Sequence, residues 1–122
     1  MNISKISQIL GISYDTLRYY EKIGLIKNIN RDKSGNRDYS EQDLNWIRFL
    51  LRLKKIKMPI EKIKIYADLR YIGDTTVKER RIMLEEQKEK LISQIDEIRE
   101  SIDYLNNKIE VYNNMEGKNN DK

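Results

Sequence analysis

The chain has 122 residues, which is enough for one small domain and an extension. It contains no cysteine and no histidine, so disulfides, thiolate metal sites and imidazole acid–base chemistry are excluded. Residues 1–70 carry 15 Lys and Arg against 8 Asp and Glu (+7), and residues 71–122 carry 9 against 12 (−3). The basic first half favours a polyanionic partner, and the lack of a long apolar run predicts a soluble, cytoplasmic protein without a membrane span.

The first predicted element is a short helix that begins after a serine cap. Ile6, Ile9 and Leu10 have the spacing of one helical face, and Gly11 ends the pattern. Only residues 11–13 separate this helix from the next one, which predicts a helix-turn-helix whose second helix enters the major groove of DNA. Plain structural hairpins of helices show the same pattern, so the spacing alone does not decide the function.

The second predicted helix, residues 13–24, is the candidate recognition helix. Ser13 is suited to cap its first turn and Gly24 to end it. Leu17 and Tyr20 fall on one side, which predicts a packed face. The other side carries rings and hydrogen-bond donors, namely Tyr14, Arg18, Tyr19 and Lys22. A solvated basic surface helix is equally compatible with this segment by itself.

A β-hairpin wing is predicted directly after the recognition helix. The run Lys-Ser-Gly-Asn at residues 33–36 has turn chemistry and lies between two short extended runs. Arg31, Lys33 and Arg37 around this turn are suited to contact phosphates or to enter a minor groove. Tyr39 follows the wing as a further candidate contact, which is also suited to pack beneath it. The alternative for this segment is a mobile basic loop.

These segments carry a family resemblance. The run Thr-Leu-Arg-Tyr-Tyr-Glu at residues 16–21, followed by Gly-Leu-Ile at 24–26, closely resembles the signature of the MerR family of bacterial transcription regulators. Residues 35–39 resemble the wing of that family, and residues 59–63 resemble the start of its fourth helix. Asn36 stands where the family usually has an aromatic residue. The resemblance implies a winged helix-turn-helix that binds DNA.

Two further helices are predicted after the wing. Ser40 with Asp43 marks the start of the third helix, and Leu44 and Ile47 begin an apolar face that continues to Ile56. Its end is basic, which indicates either phosphate contacts or favourable charges at a helix C-terminus, through Arg52, Lys54, Lys55 and Lys57. The fourth helix is predicted to begin at Pro59 and to end at Gly73.

The last predicted element is a long helix with a heptad seam. Residues 76–79 form a predicted capping box, and Lys88 is the one polar residue in the seam. The predicted seam residues are Leu84, Leu91, Ile95, Ile98, Ile102, Leu105, Ile109 and Tyr112. An unpaired seam would expose a long apolar stripe, so we expect a second copy to cover it. The alternative is packing against the third and fourth helices, and the family resemblance implies an antiparallel homodimer.

The predicted fold is all-α with a small β wing. A winged helix-turn-helix DNA-binding domain occupies residues 1–72, a dimerisation coiled-coil helix residues 73–113, and a disordered polar tail residues 114–122. No carboxylate pair, phosphate loop or nucleophile constellation occurs, so the chain is not expected to be an enzyme, and no cofactor or metal is expected.

The predicted function is transcriptional regulation by a homodimer on an inverted repeat in double-stranded promoter DNA. The family mechanism implies distortion of the promoter and RNA polymerase as a further partner. The candidate DNA contacts are Tyr14, Arg18, Tyr19, Lys22, Arg31, Lys33, Arg37 and Tyr39. Two alternatives stay open: an architectural DNA-bending accessory protein, and a coiled-coil adaptor whose basic half binds an acidic protein.

Overall fold

The computed structural model describes residues 1–120 of the chain. Contacts divide it into a first unit, Met1–Met83, and a second unit that begins at Leu84. The elements in chain order are α1 Ile3–Leu10, α2 Tyr14–Lys22, β1 Asn30–Arg31, β2 Arg37–Asp38, α3 Glu41–Lys55, α4 Ile60–Ile72, a 3-10 turn Asp74–Thr76 and α5 Val77–Asn120. The predicted fold class, helical with a small two-stranded wing and a long C-terminal helix, is confirmed.

The helix-turn-helix has the predicted three-residue joint, since α1 ends at Leu10 and α2 begins at Tyr14. The cap of α1 differs from the prediction. Its first turn is capped by the side chain of Asn2, which accepts a hydrogen bond from the Lys5 N–H at 2.8 Å. Asn and Ser serve equally well at this position, so the serine-cap prediction placed the helix start too late.

The core of the first unit lies between the helices. Buried apolar side chains of α1, α2, α3 and α4 form it, with Trp46 of α3 stacked on Tyr66 of α4 at a centroid distance of 6.0 Å. The buried residues that hold α1 and α2 against α3 and α4 are Ile6, Leu17, Tyr20, Ile47, Leu50, Ile63 and Ala67. Full burial of one large apolar side chain contributes about 1.5–3 kcal/mol. The helical spacing predicted from the sequence is therefore what fixes which face of α2 points outward.

The helix ends of α3 and α4 follow the sequence signals. Ser40 and Asp43 form a complete capping box at the start of α3. Pro59 directly precedes the first residue of α4, and Gly73 follows its last. Proline suits the first turn because the missing N–H has no intrahelical acceptor there.

A lysine occupies the left-handed position that ends α3. Lys57 has a φ of 62°, and the N–H groups of Lys57 and Met58 donate to the carbonyl oxygens of Lys54 and Leu53 at 3.0 and 3.1 Å. This is the Schellman arrangement, in which glycine is the residue without steric cost. We expect Lys57→Gly to raise the free energy of unfolding by up to about 1 kcal/mol, measured by urea denaturation.

The matched control is Lys55→Gly, which removes the same charge from the last helical residue of α3. That change adds glycine flexibility without relieving strain, so it should lower the free energy of unfolding by up to about 1 kcal/mol. Equal destabilisation by the two substitutions would show that Lys57 is not strained.

The second unit contains the greater part of α5, from Leu84 onward, and the whole helix has 44 residues and is about 66 Å long. The polar tail predicted at residues 114–122 is not separate from it, since the helix continues to Asn120; residues 121 and 122 lie outside the described part. The predicted capping box also differs. The Thr76 hydroxyl donates instead to the carbonyl oxygens of Leu69 and Gly73, at 2.6 and 2.8 Å.

The predicted seam is exposed over most of its length in the single chain. Leu84 and Leu91 are half-buried. The other six seam residues have exposed fractions of 47–58%, namely Ile95, Ile98, Ile102, Leu105, Ile109 and Tyr112. The rest of the described chain therefore leaves these six side chains about half exposed. Over residues 1–120, no helix is both long and apolar enough to span a bilayer.

Candidate nucleic-acid interface

The burial of one side of α2 determines what its other side presents. Leu17 and Tyr20 are in the core, and Tyr14, Arg18, Tyr19 and Lys22 are exposed. The Ser13 hydroxyl caps the first turn by accepting from the Thr16 N–H at 3.1 Å. The division into a packed face and a donor-rich face is as predicted.

The C-terminal end of α2 is fixed by a second Schellman motif. The Leu25 N–H donates to the Tyr20 carbonyl at 2.9 Å, and the Gly24 N–H donates to the Glu21 carbonyl at 3.2 Å. Gly24 has a φ of 87°, which the absence of a side chain permits. Because both ends of α2 are bonded, its exposed side chains project from a rigid support.

Arg18 supplies the single guanidinium of α2. Its side chain is 53% exposed, and its Nη1 lies 3.7 Å from a carboxylate oxygen of Asp15. The guanidinium carbon lies 5.9 Å from the centroid of the Tyr14 ring. Exposed contacts of this length contribute little, so a ligand that accepts two hydrogen bonds would displace them.

The wing is a short antiparallel ribbon whose turn is organised by an aspartate. Asn30 pairs with Asp38 and Arg31 with Arg37. A carboxylate oxygen of Asp32 accepts from the N–H groups of Ser34 and Asn36, at 2.9 and 3.0 Å. The predicted turn at residues 33–36 is confirmed, with Gly35 at a φ of 82°. Sequence reasoning missed Asp32, although an aspartate before a turn is a recognised signal.

The wing is attached to α2 by an ion pair. The Nε and Nη2 atoms of Arg37 both donate to one Glu21 oxygen, at 3.0 and 2.7 Å, and both side chains are less than one-third exposed. This hydrogen-bonded carboxylate raises the pKa of Arg37. Two N–H donors of Arg37, which was predicted as a DNA contact, therefore bind a partner inside the protein. Glu21 is a site residue that the sequence reasoning did not select.

Tyr39 does not belong to the exposed surface. Its side chain is 3% exposed, and this burial raises the pKa of its phenol above the ordinary value. Its backbone N–H donates to the Met1 carbonyl at 2.6 Å. This burial argues against the predicted DNA contact of Tyr39 and agrees with the other prediction, that its ring packs beneath the wing.

α2, the wing and the start of α1 enclose a shared groove. Its volume is about 340 Å³. The groove is lined by Asn2, Ile3, Ser4, Arg18, Arg31, Asp32, Asn36 and Arg37. At the wing, an Nη1 of Arg31 donates to the Gly35 carbonyl at 2.8 Å, while Lys33 is exposed at the turn. Three guanidinium groups thus border one concave surface, which is suited to an anionic ligand.

The basic cluster at the end of α3 is spread over more than one surface. The Lys54 Nζ lies 5.1 Å from the centroid of the Tyr20 ring. Arg52 and Lys55 line a different groove, together with Ile9 and Leu10 of α1. In the described part of the chain, no group of three or more acidic or histidine side chains is placed to hold a metal ion.

The chain is similar in sequence to transcription regulators. Residues 1–69 match the family model described as MerR HTH family regulatory protein. Over 109 residues the chain is 38% identical to an HTH-type transcriptional regulator of Haemophilus influenzae, which covers 89% of this chain and 81% of that protein. It is 39% identical over 92 residues to the HTH-type transcriptional regulator AdhR of Bacillus subtilis, which covers 75% of this chain and 66% of AdhR.

Solved structures show the same likeness. A MerR family transcriptional regulator of Listeria monocytogenes has a TM-score of 0.82 and 38% identity, over 93% of this chain and 86% of that one. HiNmlR, a MerR family regulator that lacks the sensor domain and is bound to promoter DNA, has a TM-score of 0.78 and 38% identity, over 91% of this chain and 88% of that one.

Proposed function

The chain belongs to the MerR family of transcriptional regulators, which bind DNA and are not enzymes, and we propose that it acts as a homodimer on an inverted-repeat promoter site. The observation that carries this proposal is that one chain has both a basic unit and an uncovered apolar seam on α5. The basic unit consists of α2 and the wing, which the Arg37–Glu21 ion pair joins. As a regulator of promoter DNA, the protein is proposed to act in the bacterial cytoplasm.

In the proposed complex the exposed face of α2 lies in the major groove. Arg18 reads a base, because a guanidinium forms two parallel hydrogen bonds with the O6 and N7 atoms of guanine. Phosphate contacts hold the unit in place and come from Tyr14, Tyr19, Lys22, Arg31 and Lys33, all of which are exposed. Arg37 is proposed to act mainly as a positioning residue, since Glu21 holds it.

The seam supports a dimer because its six exposed large side chains form one stripe along α5. The pairing is proposed to be antiparallel. A parallel pair would place Lys88 against Lys88 of the second copy inside the seam, whereas antiparallel pairing separates these two cations by most of the helix. HiNmlR is bound to promoter DNA, which supports a promoter as the target of this chain.

Distortion of the promoter is the proposed regulatory step. Two recognition units held by one rigid dimer fix the distance between two half-sites at about 34–36 Å or a multiple of it. A promoter whose half-sites do not match this distance must bend or twist to be bound, and that deformation changes its fit to RNA polymerase. Selection of binding sites from a random DNA pool tests the proposal; we expect an inverted repeat with one fixed spacing, and enrichment of single half-sites would contradict it.

Arg18→Ala should weaken binding to the selected site by about 1–3 kcal/mol and relax the preference at one base position, because a bidentate base contact is lost. Lys33→Ala should weaken binding to all sequences alike and reduce the slope of affinity against salt by about one unit, because only a phosphate contact is lost. Both are measured by fluorescence anisotropy with labelled DNA over a salt series. Unchanged affinity and specificity in Arg18→Ala would mean that α2 is not the reading helix.

A further inference from the structure

A second concave site lies where α3, α4 and the start of α5 meet. Its volume is about 260 Å³, just below the roughly 300–1,000 Å³ of pockets for drug-sized ligands, so it suits a molecule with one ring. The site is both aromatic and cationic, and its lining residues are Asn45, Trp46, Phe49, Tyr66, Arg70 and Arg80. All six belong to the first unit, and none of them lines the groove between α2 and the wing.

Arg70 has aromatic neighbours and no anionic one. Its guanidinium carbon lies 4.3 Å from the centroid of Trp46 and 5.1 Å from that of Tyr71, and the side chain is half-buried. None of the ion pairs formed within the described residues includes Arg70. Stacking uses the faces of the guanidinium and leaves its N–H donors, which lie in its plane, for an acceptor such as a carboxylate.

Arg80 supplies a second cation that is already fixed in position. Its Nε donates to the Thr76 hydroxyl at 3.1 Å and its Nη2 to the Gly73 carbonyl at 3.3 Å. A guanidinium has five N–H donors, so these two bonds leave three. None of the ion pairs formed within the described residues includes Arg80. Two half-buried guanidinium groups without a counter-charge are costly to keep beside an apolar floor, and an anion would relieve that cost.

We propose that this pocket binds a small aromatic carboxylate, with its ring against Phe49 and Tyr66 and its carboxylate between Arg70 and Arg80. An inorganic anion would pair with the two cations but leave the aromatic floor uncovered. A neutral aromatic compound would cover the floor and leave both cations unpaired. A ligand that has both a ring and a carboxylate meets both halves of the lining.

The pocket is connected to the recognition helix by two hydrogen bonds. The buried indole N–H of Trp46 donates to the Leu25 carbonyl at 2.8 Å. The N–H of the same Leu25 donates to the Tyr20 carbonyl, which is one of the hydrogen bonds that end α2. The Tyr71 hydroxyl, next to Arg70, accepts from the Lys27 N–H at 2.8 Å. A ligand that shifts Trp46 or Arg70 therefore acts on residues 25–27, between α2 and the wing, and changes DNA affinity by the same factor by which DNA changes ligand affinity. This regulatory role depends on the proposed function, but ligand binding does not.

The test uses the fluorescence of Trp46, which is the single tryptophan of the chain. We expect saturable quenching or a spectral shift with benzoate, and at least about tenfold weaker binding of benzamide, which has the same shape but no charge. Arg70→Gln should weaken benzoate binding to a similar degree. Arg52→Gln is the matched control, because it removes an exposed guanidinium of α3 that does not line the pocket, and it should leave benzoate affinity unchanged.

Equal binding of benzoate and benzamide, or benzoate binding that Arg70→Gln leaves intact, would overturn the proposal. A second overturning result is that Arg70→Gln weakens self-association in ligand-free sedimentation by as much as it weakens benzoate binding, since a second copy would then occupy the pocket. Specific DNA affinity is measured with and without benzoate. A protein that binds benzoate but no specific DNA would contradict the proposed function alone, and specific DNA affinity that benzoate leaves unchanged would contradict the regulatory role.

Discussion

Ile102→Lys is expected to convert the protein into a monomer that no longer holds an inverted repeat. Ile102 lies in the middle of the seam and is 50% exposed in the single chain, so the substitution removes little packing within one copy. In a dimer the same position would bury an ammonium group without a partner, at a cost of several kcal/mol. Sedimentation velocity should show a monomer, while circular dichroism should show most of the wild-type helicity.

The loss of DNA binding follows from the loss of the second reading unit. One α2 and one wing contact too few phosphates and base edges for tight binding, so the monomer should keep only a weak affinity that falls steeply with salt. Ser93→Lys is the matched control, because residue 93 lies on α5 opposite the seam and receives the same added charge. It should remain dimeric and bind normally. A monomeric Ile102→Lys protein that still occupied the full inverted repeat with unchanged affinity would contradict the dimer model.

The parts of the fold that sequence patterns predicted are those that local physics decides. The joint between α1 and α2, the capping box at Ser40 and the turn at Gly35 depend on residues within four positions of one another. Helical spacing also predicted the buried faces of α2 and α3, because burial of large apolar side chains outweighs local propensity. These elements agree with the structure at nearly every boundary.

The errors lie where the chain offered more than one partner for the same group. Asn2 and Ser4 are both good caps, and in the structure Asn2 caps α1. Thr76 suits a capping box for α5, but the carbonyl groups at the end of α4 are also within its reach and take its hydroxyl. The tail after Tyr112 lacks an apolar pattern, yet the helix continues through it to Asn120. Propensity alone did not separate these outcomes.

The sequence-based choice of site residues has a different limit. Tyr39 and Arg37 were selected because aromatic and basic residues near a wing favour nucleic acid, and both types of side chain also serve inside a protein. Whether Arg37 meets a phosphate or Glu21 depends on a contact between residues that are 16 positions apart, which no local pattern encodes. Arg18, Lys22 and Lys33 are exposed, and their role as DNA contacts stays a prediction.

The Arg37–Glu21 ion pair leads to the second large expected effect. Arg37→Gln should lower affinity for the selected site by about 10- to 100-fold, because Glu21 then presents an uncompensated carboxylate on the helix that we propose faces DNA, and the wing loses its attachment. Arg37→Lys should recover only part of this affinity, since an ammonium group cannot reproduce the planar donors that Nε and Nη2 direct to one oxygen. Anisotropy titrations at a fixed salt concentration measure both variants.

The role of the pair is separated from that of a phosphate contact by adding Glu21→Gln. If Arg37 serves mainly to neutralise and hold Glu21, the double variant should bind DNA better than Arg37→Gln alone, with a coupling free energy of about 1–3 kcal/mol in the mutant cycle. Arg31→Gln removes a guanidinium from the same ribbon without breaking an ion pair, so Glu21→Gln should not rescue it. A coupling near zero between Glu21 and Arg37, with equal losses in Arg31→Gln and Arg37→Gln, would instead identify Arg37 as one more phosphate contact of the wing.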